Sequence, residues 1–297
     1  MTSPMKLEKE AVLPIITAAL KEDIGARDLT TSILIPKGQS AEAEILVKTE
    51  GAIAGLQVVE WTFGLVDAKI RFKPALRDGE RVHPGKVVAY LEGPARGILM
   101  AERVALNFLG RMSGIATLTR AFVDRVERYR VQIMDTRKTT PTLRLLEKYA
   151  VAMGGGVPHR KGLYDQVLIK ENHLRLVASR LGRGSAIELA VKEVRANLQK
   201  KVIVEVEASN LQEFRQALSA QADIILLDNM ELSESQEAVR LRNALIRSKR
   251  EKKIFLEVSG GVNLETVQGI AAAGVDRISI GALTHSSSSL DLSLEIV

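Results

Sequence analysis

The chain has 297 residues, 46% of them hydrophobic, enough to bury one or two full cores. Lys and Arg outnumber Asp and Glu by 42 to 36, a formal charge of +6, yet only 4% of residues are aromatic, which leaves few platforms on which single-stranded nucleic acid could stack. Cysteine is absent, which excludes a disulfide framework and thiolate metal sites. No apolar run approaches a membrane span, and the opening MTSPMKLEKE lacks the apolar centre of a signal peptide. The expectation is a soluble, cytoplasmic protein without membrane or nucleic-acid partners, its surplus positive charge matched to small anions.

Residues 1–112 read as one mixed α/β unit. A first helix carries Leu7, Val12, Ile15, Ile16 and Ala19 and is interrupted by Pro14; EDIGARDLTTSILIP follows as a connection. From Ala41 to Thr49 apolar and polar residues nearly alternate, as in a half-buried strand. A helical pattern covers Val58–Leu65, with Trp61 assigned to the core. Strands are expected at Ala68–Phe72 and Val87–Leu91, on either side of the turn-rich LRDGERVHPG, whose His83 has no acid or second histidine near it. A long helix then runs from about Gly97 to Arg128. Within its apolar surroundings Arg103 stands out, because a guanidinium there needs a partner; Glu102 is one option.

After Tyr129 the organisation changes. Short apolar runs at Val131–Met134, Val167–Ile169, Val202–Val204, Asp223–Leu227, Ile254–Val258 and Arg277–Ile280 alternate with helical patterns at Glu188–Lys200, Asn210–Ala220, Ser233–Arg250 and Asn263–Ala273. Such alternation predicts a parallel sheet covered by helices. About six strands can be read, too few for a full eight-stranded barrel, so an open, incomplete α/β barrel and a doubly wound sheet both fit. The barrel unit is assigned to 113–285. The tail at 286–297, whose LDLSLEIV alternates like the first unit's strands, is expected to return there as an edge strand. The basic run Arg247–Lys253 reads as a solvated helix end.

Both parallel-sheet architectures put active groups at the carboxyl ends of the strands. The residues read there are Arg137, Lys138, Lys170, Glu205, Asp228, Ser259, Gly260, Gly261 and Gly281. The densest stretch is DTRKTTPTLRLLEKYAVAMGGGVPHRKGLYDQVLIKENH, where Arg137, Lys138, His159, Arg160 and Lys170 flank apolar runs or the glycine loop Gly154–Gly156. Cations beside free backbone N–H groups suit an anion carrying several charges. The glycine loops Ser259–Gly261 and Ser279–Ala282 suit a phosphate. Glu205 and Asp228 suit sugar hydroxyls or a divalent cation such as Mg2+. No phosphate-loop, dinucleotide or HExxH motif occurs, and no serine sits in a nucleophile elbow.

DTRKTTP, the GGG-x-x-HR-x-GL-x-D segment, IKENH, VEVE, LLDN, EVSGG and SIGALTHS, taken in this order, resemble quinolinate phosphoribosyltransferase, also called nicotinate-nucleotide pyrophosphorylase (carboxylating). EDIGARDLTT and ERVALNFLGRMSGIAT match that family's N-terminal unit. The resemblance implies an N-terminal α/β sandwich plus an open α/β barrel. It also implies a Mg2+-assisted condensation of quinolinate with phosphoribosyl pyrophosphate, releasing pyrophosphate and CO2 and giving nicotinate mononucleotide. The implied assembly is a homodimer with shared active sites, in which Arg103 reaches the partner's site.

On the same basis Arg137, His159, Arg160 and Lys170 would grip the two carboxylates, with Thr136 beside them. Lys138 would face pyrophosphate, and Glu205 and Asp228 would meet the ribose hydroxyls and Mg2+. Ser259, Gly260, Gly261, Gly281 and Ala282 would cradle the 5-phosphate. The chain departs from the family at Thr142 (more usually Gly), Pro158 (Asn) and Arg27 (Gly); Thr142 is expected to be tolerable in a first helical turn. The rival readings are a phosphoribosyltransferase for another acceptor, a sugar-phosphate isomerase or aldolase, and a nucleic-acid-binding protein.

Overall fold

The structure, a computed structural model, describes residues 5–180, 184–198, 202–249 and 254–297. The end of the basic run at 247–253 lies outside these residues. The chain divides into two compact units: Met1–Ala121 with Lys138–Pro158 and Ala282–Val297, and Phe122–Arg137 with His159–Gly281.

In the first unit, α1 (Lys9–Ile24) and α2 (Leu29–Leu34) precede β1 (Ser40–Val47) and β2 (Gly51–Ala52). Then come α3 (Leu56–Val66), β3 (Arg71–Pro74), β4 (Arg81–Val82), β5 (Val87–Pro94) and α4 (Ala95–Val126), which is continuous and crosses into the second unit. Helix α1 is not interrupted at Pro14. That residue and Glu10, whose carbonyl loses its hydrogen bond, both lie on the exposed side, where water takes the place of the missing N–H. Helix α2 replaces the expected loop. Its start is capped by Asp28, whose Oδ1 accepts the Thr31 N–H at 2.9 Å.

The main sheet of this unit has the order β12-β1-β5-β3, where β12 (Leu292–Ile296) is the last strand of the chain and all pairings are antiparallel. Alternation along β1 sends Ala43, Ile45 and Val47 into a core with Phe63 and Val59 of α3 and Ile98, Ala105 and Leu109 of α4. Full burial of a side chain such as Phe63 contributes about 1.5–3 kcal/mol. Trp61, assigned to the core from sequence, is only half-buried; Phe63, two residues on, occupies that position.

The second unit holds β6 (Gln132–Met134), β7 (Val167–Ile169), β8 (Val204–Ala208), β9 (Ile224–Asp228), β10 (Phe255–Ser259) and β11 (Arg277–Ser279). These six strands form one parallel sheet in the order β6-β11-β10-β9-β8-β7. Strands β7 to β11 follow chain order, and β6 pairs with the last of them instead of with β7. This is a barrel with one open seam, between β6 and β7. A doubly wound sheet would instead reverse its strand order in the middle. At the amino ends of the strands, buried or half-buried acids tie neighbours together. Asp223 accepts the Val204 N–H at 2.8 Å and pairs with Arg195 at 2.6 Å, while Asp276 accepts the Leu256 N–H at 2.9 Å and pairs with Arg242 at 2.7 Å. That end serves stability, which leaves the carboxyl ends for chemistry.

Candidate active site

Register levels the carboxyl ends of the strands: Asp228 is opposite Ser259, Ser259 opposite Ser279, and Ser279 opposite Met134. Onto this rim run Asp135, Thr136 and Arg137 after β6, Lys170 after β7, Ser259–Gly261 at the end of β10, and Gly281 after β11. The β9 and β10 loops are locked together. Asn229, with a positive φ of 52°, donates its backbone N–H to the Ser259 carbonyl at 2.9 Å and its side-chain amide to Asp228 at 2.9 Å. A Cβ on Gly260 would collide with the Asn229 side chain, so the glycine permits the two loops to touch. After β7, the Lys170 N–H donates to His173 Nδ1 at 3.0 Å and the Lys170 carbonyl accepts the His173 N–H at 2.8 Å, which closes the first turn of α6 (Glu171–Ala178).

The two glutamates of VEVE sit at different depths of one strand. Glu205 was placed at a strand end because Val202–Val204 read as the strand, but β8 begins at Val204 and contains both acids. Glu205 is its second residue and has no exposure; Glu207 is the fourth and faces the rim. Glu207 Oε2 lies 3.9 Å from Lys170 Nζ, and its carboxyl lies within the field of Asp228 on the neighbouring strand β9. Burial pushes the Glu207 carboxyl above its ordinary range; the charge of Lys170 opposes this and Asp228 adds to it. The acid next to Asp228 is therefore Glu207, the residue the sequence reading missed.

Glu205 belongs instead to a buried cluster. Its Oε2 accepts from Gln166 Nε2 at 2.5 Å and lies 3.4 Å from His159 Nε2. Glu257, 1% exposed in the middle of β10, has Oε1 at 3.2 Å from the same ring nitrogen and accepts the Ser279 hydroxyl. The other ring nitrogen, Nδ1, accepts the Arg160 N–H at 2.7 Å, and the His159 N–H donates to Asp135 Oδ1 at 2.6 Å. Both nitrogens of His159, expected at the substrate, thus face internal partners. Pro158 leaves the His159 anchor to Asp135 intact. Burial works against charge on the ring, but the hydrogen bonds and charges of Glu205 and Glu257 outweigh it and push its pKa up to about 10. Burial, then the charge of Glu257, raises the Glu205 carboxyl. With the Arg160 N–H donating to Nδ1, Nε2 is the ring nitrogen that carries its hydrogen toward the two carboxylates.

Arg160 is 9% exposed and donates from Nη1 to the Gln166 carbonyl at 3.1 Å. Its pKa is lowered first by burial and then by the charge of Arg137. Two guanidiniums from different loops therefore converge, one buried and one exposed. Asp135 is common to both loops: it precedes Thr136 and Arg137 and binds the backbone before Arg160.

The remaining expected residues belong to the first unit. Lys138 is exposed, and its carbonyl accepts the Thr284 hydroxyl at 2.7 Å, just inside the short helix Ala282–His285 that Ala282 opens. The Arg103 side chain is 64% exposed, 3.9 Å from Glu102; it lies on the outer face of α4 and needs no buried partner. Thr142 is not in a first helical turn. It has φ of 68°, two residues before α5 (Arg144–Met153), in the left-handed region that a β-branched residue rarely enters.

A parallel α/β sheet that gathers guanidiniums, an ammonium, two rim carboxylates and glycine loops at its carboxyl edge is the architecture of an enzyme for phosphorylated, anionic substrates. Residues 28–113 match the N-terminal domain, and residues 115–295 the C-terminal domain, of the quinolinate phosphoribosyl transferase family. The chain belongs to that family. It is 40% identical over 301 residues to a quinolinate phosphoribosyltransferase (decarboxylating) of Nicotiana tabacum, covering 95% of this chain and 81% of the relative. Among solved structures, a nicotinate-nucleotide pyrophosphorylase from Francisella tularensis matches with a TM-score of 0.88 and 34% identity over 100% of both chains. A NadC structure from Streptococcus pyogenes matches with a TM-score of 0.89 and 36% identity over 99% of both chains.

Proposed function

We propose that this chain transfers the phosphoribosyl group of phosphoribosyl pyrophosphate to the ring nitrogen of quinolinate, releasing pyrophosphate and CO2 and giving nicotinate mononucleotide for NAD synthesis. The observation that carries the reading is the pair Arg137 and Arg160, whose like charges lie close enough for one to depress the other's pKa. Glu205 and Asp165 offset part of that repulsion, and an anion bound between the two guanidiniums would offset it further. Planar forks suit carboxylates, and each charge-assisted hydrogen bond contributes about 1.5–3 kcal/mol. Lys170, half-exposed on the rim, is the third cation we assign to the dicarboxylate, with Thr136 beside it.

Glu207 and Asp228, two rim carboxylates on neighbouring strands beside one ammonium, fit a divalent cation and the ribose hydroxyls. They would hold Mg2+, which supplies charge neutralisation for the departing pyrophosphate. Lys138 would face the same pyrophosphate. Ser259, Gly260, Gly261, Gly281 and Ala282 would receive the 5-phosphate through backbone N–H groups. As pyrophosphate leaves, positive character grows at the anomeric carbon and the rim carboxylates stabilise it. The new bond makes the ring nitrogen cationic; loss of CO2 leaves its electron pair on the adjacent ring carbon, where the positive nitrogen stabilises it, and a proton from water then completes the C–H bond at that carbon. Positioning and electrostatics then suffice without a protein nucleophile.

The assembly we propose is a homodimer in which the exposed Arg103 completes the partner's site, and its setting is the cytoplasm. Among the described residues no helix is long and apolar enough to cross a membrane. The deciding assay supplies phosphoribosyl pyrophosphate, Mg2+ and quinolinate carrying a labelled 2-carboxylate. Stoichiometric labelled CO2 and nicotinate mononucleotide are expected; equal turnover of nicotinate, or none of quinolinate, refutes the assignment.

A further inference from the structure

Four of the motif residues are not used by the proposed reaction: His159, Glu205, Glu257 and Ser279. They come from four separate segments and meet inside the second unit. Glu205 and Glu257 lie on β8 and β10, with β9 between them, and His159 spans the two from the loop after Pro158. Gln166 and Ser279 each hold one oxygen of the two carboxyls. The other oxygens, Glu205 Oε1 and Glu257 Oε2, are buried and make no hydrogen bond. Burying two acids this way is unfavourable in isolation, so the arrangement calls for a compensating role.

We infer that Glu205 and Glu257 are positioning residues for the anion pocket: they hold His159 by Nε2, which turns Nδ1 onto the Arg160 amide and fixes the direction in which the Arg160 guanidinium leaves its loop. His159 is then itself a positioning residue and not a ligand of the dicarboxylate. The inference rests on the proposed role of Arg160 at the quinolinate carboxylates. Two contacts fix the His159–Arg160 backbone, Asp135 on the His159 N–H and Nδ1 on the Arg160 N–H, and a third, the Gln166 carbonyl, holds the Arg160 guanidinium. Gln166 also donates to Glu205, so one residue ties the guanidinium and the buried acid to the same strand entry. A ligand role for His159 would require one ring nitrogen directed outward; both are directed inward at 2.7 to 3.4 Å.

The test uses the full-length wild-type chain labelled with 15N in its four histidine rings. On saturation with quinolinate, the His159 ring signals, including its Nε2–H, are expected to stay in place. Glu205→Gln and Glu257→Gln should each raise KM for quinolinate about ten- to a hundredfold, the scale seen when a metal-binding histidine loses its orienting partner, with KM for phosphoribosyl pyrophosphate changed less than about twofold. A His159 ring signal that moves on quinolinate binding would overturn the positioning role. So would folded Gln variants with an unchanged KM for quinolinate. If the variants fail to fold, the wild-type spectra decide alone. A wild-type chain that does not turn over quinolinate refutes the proposed function itself; turnover together with a moving His159 ring refutes only this inference.

Discussion

Replacing Thr142 by glycine should stabilise the protein, because Thr142 spends backbone energy that glycine would not. Its φ of 68° puts a β-branched residue in the left-handed region, and its side chain is exposed, so little packing is lost with it. A non-glycine residue in such a conformation costs about 1–3 kcal/mol. Glycine gives back roughly 0.5–1 kcal/mol through the greater freedom of its unfolded chain. The net gain is about 0.5–2 kcal/mol, equivalent to a rise of roughly 1–5 °C in Tm for a chain of this size. Calorimetry and urea unfolding of wild type, Thr142→Gly and Thr142→Ala would measure it. Alanine keeps the Cβ and should recover less than half of the glycine gain. A glycine variant no more stable than the alanine variant would refute the strain argument.

Three further outcomes are expected. Glu147, 1% exposed, accepts from Arg111 at 2.8 Å and from both the backbone and hydroxyl of Thr140, so Glu147→Ala should cost about 3–5 kcal/mol in urea unfolding by leaving Arg111 without its acid. The Asp28 carboxyl is held below its ordinary range chiefly by its hydrogen bonds to Thr31, so its share of stability is present above the unfolded pKa and is lost as pH falls through the lower folded value. Asp28→Asn keeps the cap, and the wild-type advantage over it in Tm should shrink as pH is lowered toward about 3. Arg103→Ala and Lys138→Ala chains should each be nearly inactive, and mixing them should restore part of the activity through hybrid dimers with one intact site. No recovery despite demonstrated subunit exchange would count against shared sites.

Much of the second unit was legible because its strands are buried on both faces and read as short apolar runs, each followed by a break. All six runs correspond to strands of the sheet, and the count of six separated this fold from a full barrel. Periodicity could not choose between an open barrel and a doubly wound sheet, since both alternate strand and helix; only the pairing of β6 with β11 decides it. Helix α2 was hidden because LTTSIL is short and leaves Leu29, Ile33 and Leu34 exposed while burying Thr31, so it has no buried apolar face to show. The Asp28–Thr31 cap was the available signal. Pro14 misled for a related reason: its effect depends on which side of the helix meets water. Arg103 was read as embedded because the neighbours of a residue in sequence are not its neighbours on a helix face.

The misplacement of Glu205 shows what strand geometry adds to motif reading. VEVE contains two acids two residues apart, and a strand's period of two sends both to the same face at depths that differ by about 6–7 Å. At the deeper level Glu205 has no exposure, and its partners are the Gln166 amide and the His159 ring, which it shares with Glu257. At the shallower level Glu207 meets Lys170 and Asp228, groups that can exchange one another for a ligand. The same spacing thus supplies one acid for building the pocket and one for lining it. Which acid does which follows from where the strand starts, and that depends on a single boundary: Val202–Val204 ends before Glu205, whereas Val204–Ala208 encloses it. A residue type that suits chemistry is therefore weak evidence until its depth along the strand is known, because burial turns the same carboxylate from a ligand into part of the scaffold.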